Sequence, residues 1–330
     1  MFRCTCALFY CLLSATAGTA ATITITQVLD SNAFTAPGYT ISSIQVTGIN
    51  NSGAIAGTAV SDVAVTSYGL VRQPDASLSY FQPIPGAATT ATSINNQGQI
   101  AGGVAGGPVP GTEPEQRYVR NADGSTLLFA GPSPDNTLLV PVALNDNGVV
   151  AFTPFPPIIS FLGPPQGPFE TLKLPPSGII SAINDQGTII GQFSDGVNIH
   201  GFIRNADGSF TTIGFSNYVV PTAIDSFGDV VGYYLLNYPG GTPDNYPAAG
   251  FYRFANGDLV TFSAPARYTD FVGVNDLGQI LGDYSDAGSY VNVGEHVFIA
   301  QVNPVLEPST GFLCLLGICI FCCLRSTRAR

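Results

Sequence analysis

Ala182-Ile183-Asn184-Asp185-Gln186-Gly187-Thr188-Ile189-Ile190-Gly191 places an Asn-Asp-x-Gly turn between apolar, β-branched flanks. Its relatives recur along the chain as Gly48 to Gly57 (GINNSGAIAG), Ser93 to Gly102 (SINNQGQIAG), Ala143 to Phe152 (ALNDNGVVAF), Ala223 to Gly232 (AIDSFGDVVG) and Gly273 to Gly282 (GVNDLGQILG). With the first stretch these make six copies, and the turn glycines Gly53, Gly98, Gly148, Gly187, Gly228 and Gly278 are spaced by 45, 50, 39, 41 and 50 residues. Self-similarity at such a period is the mark of propellers and related arrays.

The fourth copy gives the grammar of a unit. It has a strand ending at Ile183, a turn at Asn184 to Gly187, strands at Thr188 to Phe193 and His200 to Arg204, a turn at Asn205 to Gly208, and a strand at Ser209 to Ile213. Asn-Asp-x-Gly and Ala-Asp-Gly supply the positive φ angles of tight hairpins, and the flanking Ile, Val, Phe and Thr suit a pleated, half-buried surface. Four antiparallel strands per unit predict a propeller blade, and the body has no helical periodicity. The glycine closing the second strand (Gly57, Gly102, Gly191, Gly232, Gly282) predicts close backbone approach where blades crowd together. Phe152 replaces it in the third unit, whose Pro154, Pro156, Pro157, Pro164, Pro165 and Pro168 predict short or irregular outer strands.

The ends predict closure. The sixth unit has strands near Phe271 to Val274, Gln279 to Tyr284 and His296 to Val302, but none in fourth place. Thr22-Ile23-Thr24-Ile25-Thr26-Gln27-Val28-Leu29 alternates like a strand and precedes the first unit. Pairing it with the last blade closes the ring and covers a bare edge. The expectation is an all-β, six-bladed propeller over 22–303, its last blade completed by the amino-terminal strand, with a hydrophobic helix at the carboxyl end.

Both termini carry addresses. Arg3, an apolar run from Cys4 to Leu13 and small residues from Ser14 to Ala21 read as a signal peptide over 1–21. All seven cysteines (Cys4, Cys6, Cys11, Cys314, Cys319, Cys322, Cys323) lie near the termini, so they form no disulfide framework for the body. Residues 304–330 form a tail in which fourteen apolar or small residues, Gly311 to Leu324, precede Arg325, Arg328 and Arg330. As a helix this run spans about 21 Å, short of a hydrocarbon core of roughly 30 Å, and the arginines would stay on the cytoplasmic side.

This tail resembles the PEP-CTERM sorting signal of bacterial exported proteins. Glu307, Pro308, Arg325, Arg328 and Arg330 match it, while Leu306 stands where that family has its first proline. The resemblance implies recognition by exosortase-type machinery in the inner membrane, with the tail as the only membrane contact, removal of the tail, and delivery to the cell surface or extracellular matrix. The units themselves resemble the HAF repeat of extracellular bacterial proteins. His200-Gly201-Phe202 and His296-Val297-Phe298 carry its His-x-Phe strand, and the six turns carry its second half. That resemblance implies surface or secreted propeller-like domains.

Between Thr22 and Asn303 there are 21 acidic residues against seven basic ones (Arg72, Arg117, Arg120, Lys173, Arg204, Arg253, Arg267). One lysine and no basic run argue against nucleic acid as a partner. The two histidines hold equivalent repeat positions and read as structural, since a zinc site needs three or four ligands and the body has no cysteine. Arg72, Arg120, Arg204 and Arg253 recur at the end of the third strand. Each is expected to bond a turn carboxylate or carbonyl in its own blade, the sharper alternative being ligand recognition, since repeated positions can also ring a central channel. Asp195 and Asp286, with Asp283 nearby, suggest calcium but lack a dense acidic loop, so a turn role is preferred.

No catalytic, cofactor-binding or metal-ligating residues are assigned, and no cofactor is expected. Two function classes remain. One is a non-enzymatic scaffold or exopolysaccharide-binding protein, in which Tyr233, Tyr234, Tyr238, Tyr246, Tyr284 and Tyr290 stack on sugars or simply cover a loop. The other is a secreted carbohydrate-active hydrolase or lyase using paired carboxylates at the propeller mouth.

Overall fold

Each Asn-Asp-x-Gly segment folds the chain back on itself, with its glycine at a φ between 70° and 90°. In the fourth copy Gly187 N–H donates to Asn184 C=O (3.1 Å) and Asn184 N–H to Thr188 C=O (3.0 Å). A side chain at that φ would be strained, which is why glycine holds the place. The structure, a computed structural model, describes residues 21–29, 31–34, 38–64, 66–105, 116–132, 139–154, 159–240, 243, 246–285 and 296–304. Residues 1–20 of the expected signal peptide, the helix over 311–324, the sorting residues Glu307, Pro308, Arg325, Arg328 and Arg330, and Asp286 and Tyr290 lie outside them, while Ala21 begins a strand.

Of the two units into which the chain divides, Ile23–Asn303 is the propeller. The other, Met1–Thr22 with Pro304–Arg330, contributes only Ala21, Thr22 and Pro304 to the described residues. Blade one contains β2 (Ser43–Ile49), β3 (Ile55–Ser61), β4 (Thr66–Arg72) and β5 (Leu78–Phe81). Blade two contains β6 (Thr89–Ile94), β7 (Ile100–Val104), β8 (Gln116–Arg120) and β9 (Thr126–Phe129). Blade three contains β10 (Leu139–Leu144), β11 (Val150–Pro154), β12 (Ser160–Gly163) and β13 (Glu170–Leu172). Blade four contains β14 (Ile179–Ile183), β15 (Ile189–Ser194), β16 (Ile199–Arg204) and β17 (Phe210–Ile213). Blade five contains β18 (Val219–Ile224), β19 (Val230–Leu235), β20 (Ala248–Arg253) and β21 (Leu259–Phe262). Blade six contains β22 (Tyr268–Val274), β23 (Gln279–Ser285), β24 (His296–Pro304) and, beside β24, β1 (Ala21–Leu29).

The amino-terminal strand therefore closes the last blade, with Thr26 Oγ1 donating to Ile299 C=O at 3.0 Å. The one helical turn in an element of the described residues is a 3-10 turn at Ser31–Phe34. Each sheet is antiparallel, so the turns after first and third strands lie at one end of the ring. The second-to-third and blade-to-blade connections lie at the other, and these two ends are called here the turn end and the loop end.

Apolar side chains fill the spaces between blades. Leu281, Val297 and Ile299 of blade six pack with Val46, Ile49 and Leu70 of blade one, together with Leu29 and Phe34. Ile190, Ile203 and Ile213 of blade four meet Val219, Ile224, Val230 and Phe251 of blade five. Every first strand also carries a feature the sequence reading lacked: its register with the second strand slips by one residue, at Thr47, Thr92, Val142, Ser181, Thr222 and Val272. Such a bulge sharpens the local twist, and here it turns the extra residue onto the channel wall.

The recurrent glycine has a different cause from the one expected. A Cβ on Gly191 would fall on the carbonyl oxygen of Ile179 and lie 2.8 Å from Cζ of Phe202, both within its own blade. Gly232 and Gly282 likewise sit beneath the rings of Phe251 and Phe298, their cross-strand partners. The crowding thus comes from the bulged first strand of the same blade, joined by an aromatic ring of the third strand at Gly102, Gly191, Gly232 and Gly282, while Gly57 meets the backbone of Gln45 and Val46. Blade three reverses the arrangement. Phe152 is itself fully buried, edge-on to Phe129 (6.2 Å) and Phe169 (5.5 Å), while its partner Phe161 is only half-buried. Burying such a ring contributes about 2 kcal/mol from whichever strand supplies it. The outer strands of blade three are short, as the prolines predict, at four and three residues.

Candidate functional site

The six first strands surround a channel cavity of about 110 Å³, lined near the turn end by Asn95, Asn145, Asn184, Asp225 and Asn275. Two ladders of hydrogen bonds run around this end. In the inner ladder the first residue of each turn is buried, and in five of the six blades it is an asparagine that reaches the next blade. Asn50 Nδ2 donates to Asn95 C=O (3.2 Å), Asn95 Nδ2 to Asn145 C=O (3.1 Å) and Asn145 Nδ2 to Asn184 C=O (3.0 Å). Asn184 Nδ2 donates to Asp225 C=O (3.0 Å), and Asn275 Nδ2 to Asn50 C=O (2.9 Å). The Oδ1 of each residue accepts a backbone N–H from within its own turn, such as Thr188 N–H on Asn184 at 2.9 Å. A buried amide therefore fixes both its own hairpin and the adjoining blade.

The outer ladder uses the second residue of each turn. Asn51 N–H donates to Asn96 Oδ1 (2.8 Å), Asn96 N–H to Asp146 Oδ1 (2.7 Å) and Asp146 N–H to Asp185 Oδ1 (2.8 Å). Ser226 N–H donates to Asp276 Oδ1 and Asp276 N–H to Asn51 Oδ1, each at 2.8 Å. The carboxylates feel one another. Burial raises the pKa of Asp185, and the charges of Asp146 and Asp276 push the same way. At Asp276 burial also raises it, but hydrogen bonds from Ser226 and Asn51 outweigh that and leave the group below its ordinary value.

Replacing Asn184 with Ala should therefore cost about 2 kcal/mol, because the Asp225 carbonyl and the Thr188 amide both lose their partner in a buried place. Urea denaturation checks this, with Gln186→Ala, in the same turn, as a comparison. Equal midpoints for the two variants would refute a role for the ladder in stability.

The recurrent arginines sit two strands away from the channel and do not ring it, which removes the channel-ring alternative. Arg120, Arg204 and Arg253 each donate through Nη1 to the next residue's carbonyl, at Asn121 (3.3 Å), Asn205 (3.4 Å) and Phe254 (3.2 Å). Arg120 also lies over the ring of Phe81 in the preceding blade, 4.7 Å from its centroid.

At the loop end His200 meets Asp195 at 2.8 Å, while Asp195 Oδ1 accepts Val197 and Asn198 N–H at 2.8 and 2.7 Å. The Asn198 amide, then His200, hold the Asp195 carboxyl well below the usual carboxylate range. Asp195 thus serves its own turn. His296 stacks on Tyr284 with ring centres 4.8 Å apart. Tyr238 is 8% exposed and packs edge-on against Tyr218 (5.1 Å) and Tyr246 (5.3 Å), so it covers its loop and is not free to stack on a sugar. Tyr233, Tyr234 and Tyr284 are half-buried.

One constellation was absent from the sequence reading. Asp270 on β22 and Asp283 on β23 are directly opposite cross-strand partners. Both are half-buried, and Asp270 Oδ1 is inaccessible and has no hydrogen-bond partner. Burial pushes Asp283 up to about 7; burial, then the charge of Asp283, raises Asp270 well above the usual range. Only strand register brings the pair together, since thirteen positions separate them in the chain. Among the described residues no group of three or more His, Cys, Asp or Glu is arranged to hold a metal ion, and no helix is long and apolar enough to cross a membrane.

No protein-family model and no curated protein matches the chain. Solved structures do. Virginiamycin B lyase from Staphylococcus aureus is 13% identical, with a TM-score of 0.46, over 88% of this chain and 90% of that one. The β-propeller domain of the trilobed protease from Pyrococcus furiosus is 11% identical, with a TM-score of 0.44, over 82% and 85%. A luciferin-regenerating enzyme is 10% identical, with a TM-score of 0.44, over 87% and 96%. At these identities the likeness is one of fold alone.

Proposed function

We propose that the chain is an exported β-propeller of the cell surface or extracellular matrix, acting as a non-enzymatic scaffold or as a binder of exopolysaccharide. One observation carries the reading. In five of the six blades the recurrent buried amide is engaged with the neighbouring blade, so the repeat builds a closed body instead of presenting a reactive set to the channel. The termini supply the destination: a signal-like leader, and a tail whose Glu307, Pro308, Arg325, Arg328 and Arg330 suit exosortase-type machinery. The acidic body keeps a glycine-rich, apolar chain soluble once outside.

A second reading, a carbohydrate-active hydrolase or lyase, is favoured by the Asp270–Asp283 pair alone, since two carboxyl groups on facing strand positions with raised pKa values are the raw material of acid catalysis. The two readings separate in one experiment. Intact mass is measured on the native protein from membrane and culture-medium fractions, and the released form is then incubated with the producing cell's own polysaccharide. A species lacking the leader and everything beyond about Glu307, co-sedimenting with intact polysaccharide, is the expected result. A membrane form retaining Arg330 overturns the sorting role, and polysaccharide shortening that Asp283→Asn abolishes overturns the non-enzymatic one.

A further inference from the structure

The inner ladder is complete at five of its six steps. At the sixth, from blade five to blade six, the turn begins with Asp225 where the other blades have Asn50, Asn95, Asn145, Asn184 and Asn275. Its side chain adopts the same pose as those asparagines. Asp225 Oδ1 accepts N–H of Phe227 and Asp229, both at 2.9 Å, as Asn275 Oδ1 accepts N–H of Leu277 and Gln279 at 3.1 and 3.0 Å. With Oδ1 held in this way, the second carboxyl oxygen takes the position of the amide nitrogen that in the other five blades donates to the next blade's carbonyl, which for blade five is that of Asn275. An ionised carboxylate has no hydrogen to offer there and sets oxygen against oxygen, whereas a protonated one donates and completes the ring.

We propose that Asp225 is a pH-sensitive latch: it holds a proton in the folded protein, closes the inner ladder on Asn275, and releases the blade-five to blade-six seam when that proton leaves. The same blade is the weak point of the outer ladder, where Ser226 replaces the carboxylate or amide of the other turns. The surroundings favour the proton. Asp225 is 5% exposed. Asp229 of its own turn accepts the Tyr252 hydroxyl on β20 (2.6 Å) and the Ala255 amide (2.8 Å). Asp276 stands on the blade-six side, and Asp185 on the blade-four side beside Asn184. Arg253 is the nearby cation, and its charge acts with Asp229. Burial, reinforced by the charges of Asp229 and Asp276, pushes the Asp225 carboxyl up to about 7.

The sign follows from linkage. The folded-state pKa lies above the unfolded one of roughly 4, so the folded protein binds the extra proton between those values. Stability from this group is fully present below about pH 4 and is lost as pH rises through about 7. Asp270 and Asp283 are raised too and add a fall of the same sign, so the test must isolate Asp225.

Thermal melts of the full chain are compared from pH 5 to pH 8.5 for the native protein, Asp225→Asn, Asp283→Asn and Asn184→Asp. Asp225→Asn supplies the missing amide and should raise Tm by about 4 °C more at pH 8.5 than at pH 5. The same difference should persist in the Asp283→Asn background. Asn184→Asp moves the acid to another step and should create a second pH-dependent loss, which tests the idea even if Asp225→Asn folds poorly. Parallel pH profiles for the native protein and Asp225→Asn, or an Asn184→Asp penalty that is equal at both pH values, would overturn the latch.

Discussion

Removal of Ile23–Leu29 should abolish the cooperative thermal transition of the propeller or lower its midpoint by more than about 15 °C. This strand is the fourth of blade six, and without it β24 becomes a bare edge. The ladder between β1 and β24 goes, and with it the bond from Thr26 to Ile299. Leu29, 3% exposed, leaves the cluster of Leu281, Val297 and Ile299. A row of unpaired N–H and C=O groups beside exposed apolar side chains is a template for association. Calorimetry should therefore show a broadened or missing transition, and sedimentation should show oligomers. A truncated protein that stays monomeric and melts within a few degrees of the parent would mean that the ring does not depend on this strand.

The second large effect separates two adjacent glycines. Ala at Gly102 would set its Cβ on the Thr90 carbonyl and 2.7 Å from Cζ of Tyr118, a ring that is fully buried. Neither backbone nor ring has room to retreat, so about 3 kcal/mol should be lost, on the order of 10 °C in Tm. Ala at Gly103, one residue on, would meet only Thr90 Oγ1 at 3.4 Å, ordinary contact. It should change stability by no more than about 0.5 kcal/mol. Chemical denaturation of the two variants side by side checks the contrast, and similar losses at both positions would show that strand propensity, not the ring, sets the requirement.

The architecture was legible because turns are local. A turn that begins with Asn or Asp and ends on glycine three residues later fixes a hairpin from four residues, so six copies fix six hairpins and their spacing leaves room for two more strands each. The missing fourth strand at Val302 and the surplus strand at Thr22 then pointed to each other. What stayed hidden depends on contacts between segments distant in the chain. The bulges could not be read, since the Thr, Val or Ser at each suits a regular strand as well. Gly191 signalled crowding, but what crowds it is Phe202, which only register identifies. The inner ladder was half-visible: the turn asparagines were read as positive-φ formers, while their reach to the next blade needs the ring to be closed. Asp225 could have been found as the one acid in a column of amides. Asp270 and Asp283 could not, because nothing local pairs them.

The bond between Thr26 and Ile299 spans 273 positions of the chain. Blades one to five are made of strands consecutive in sequence and can each assemble from their own hairpins. The last blade cannot, since its first and last strands to be made are neighbours. Loop closure over such a distance comes late and is slow. The ring is therefore not closed until β24 meets β1, so the first residues of the body are among the last to find their place.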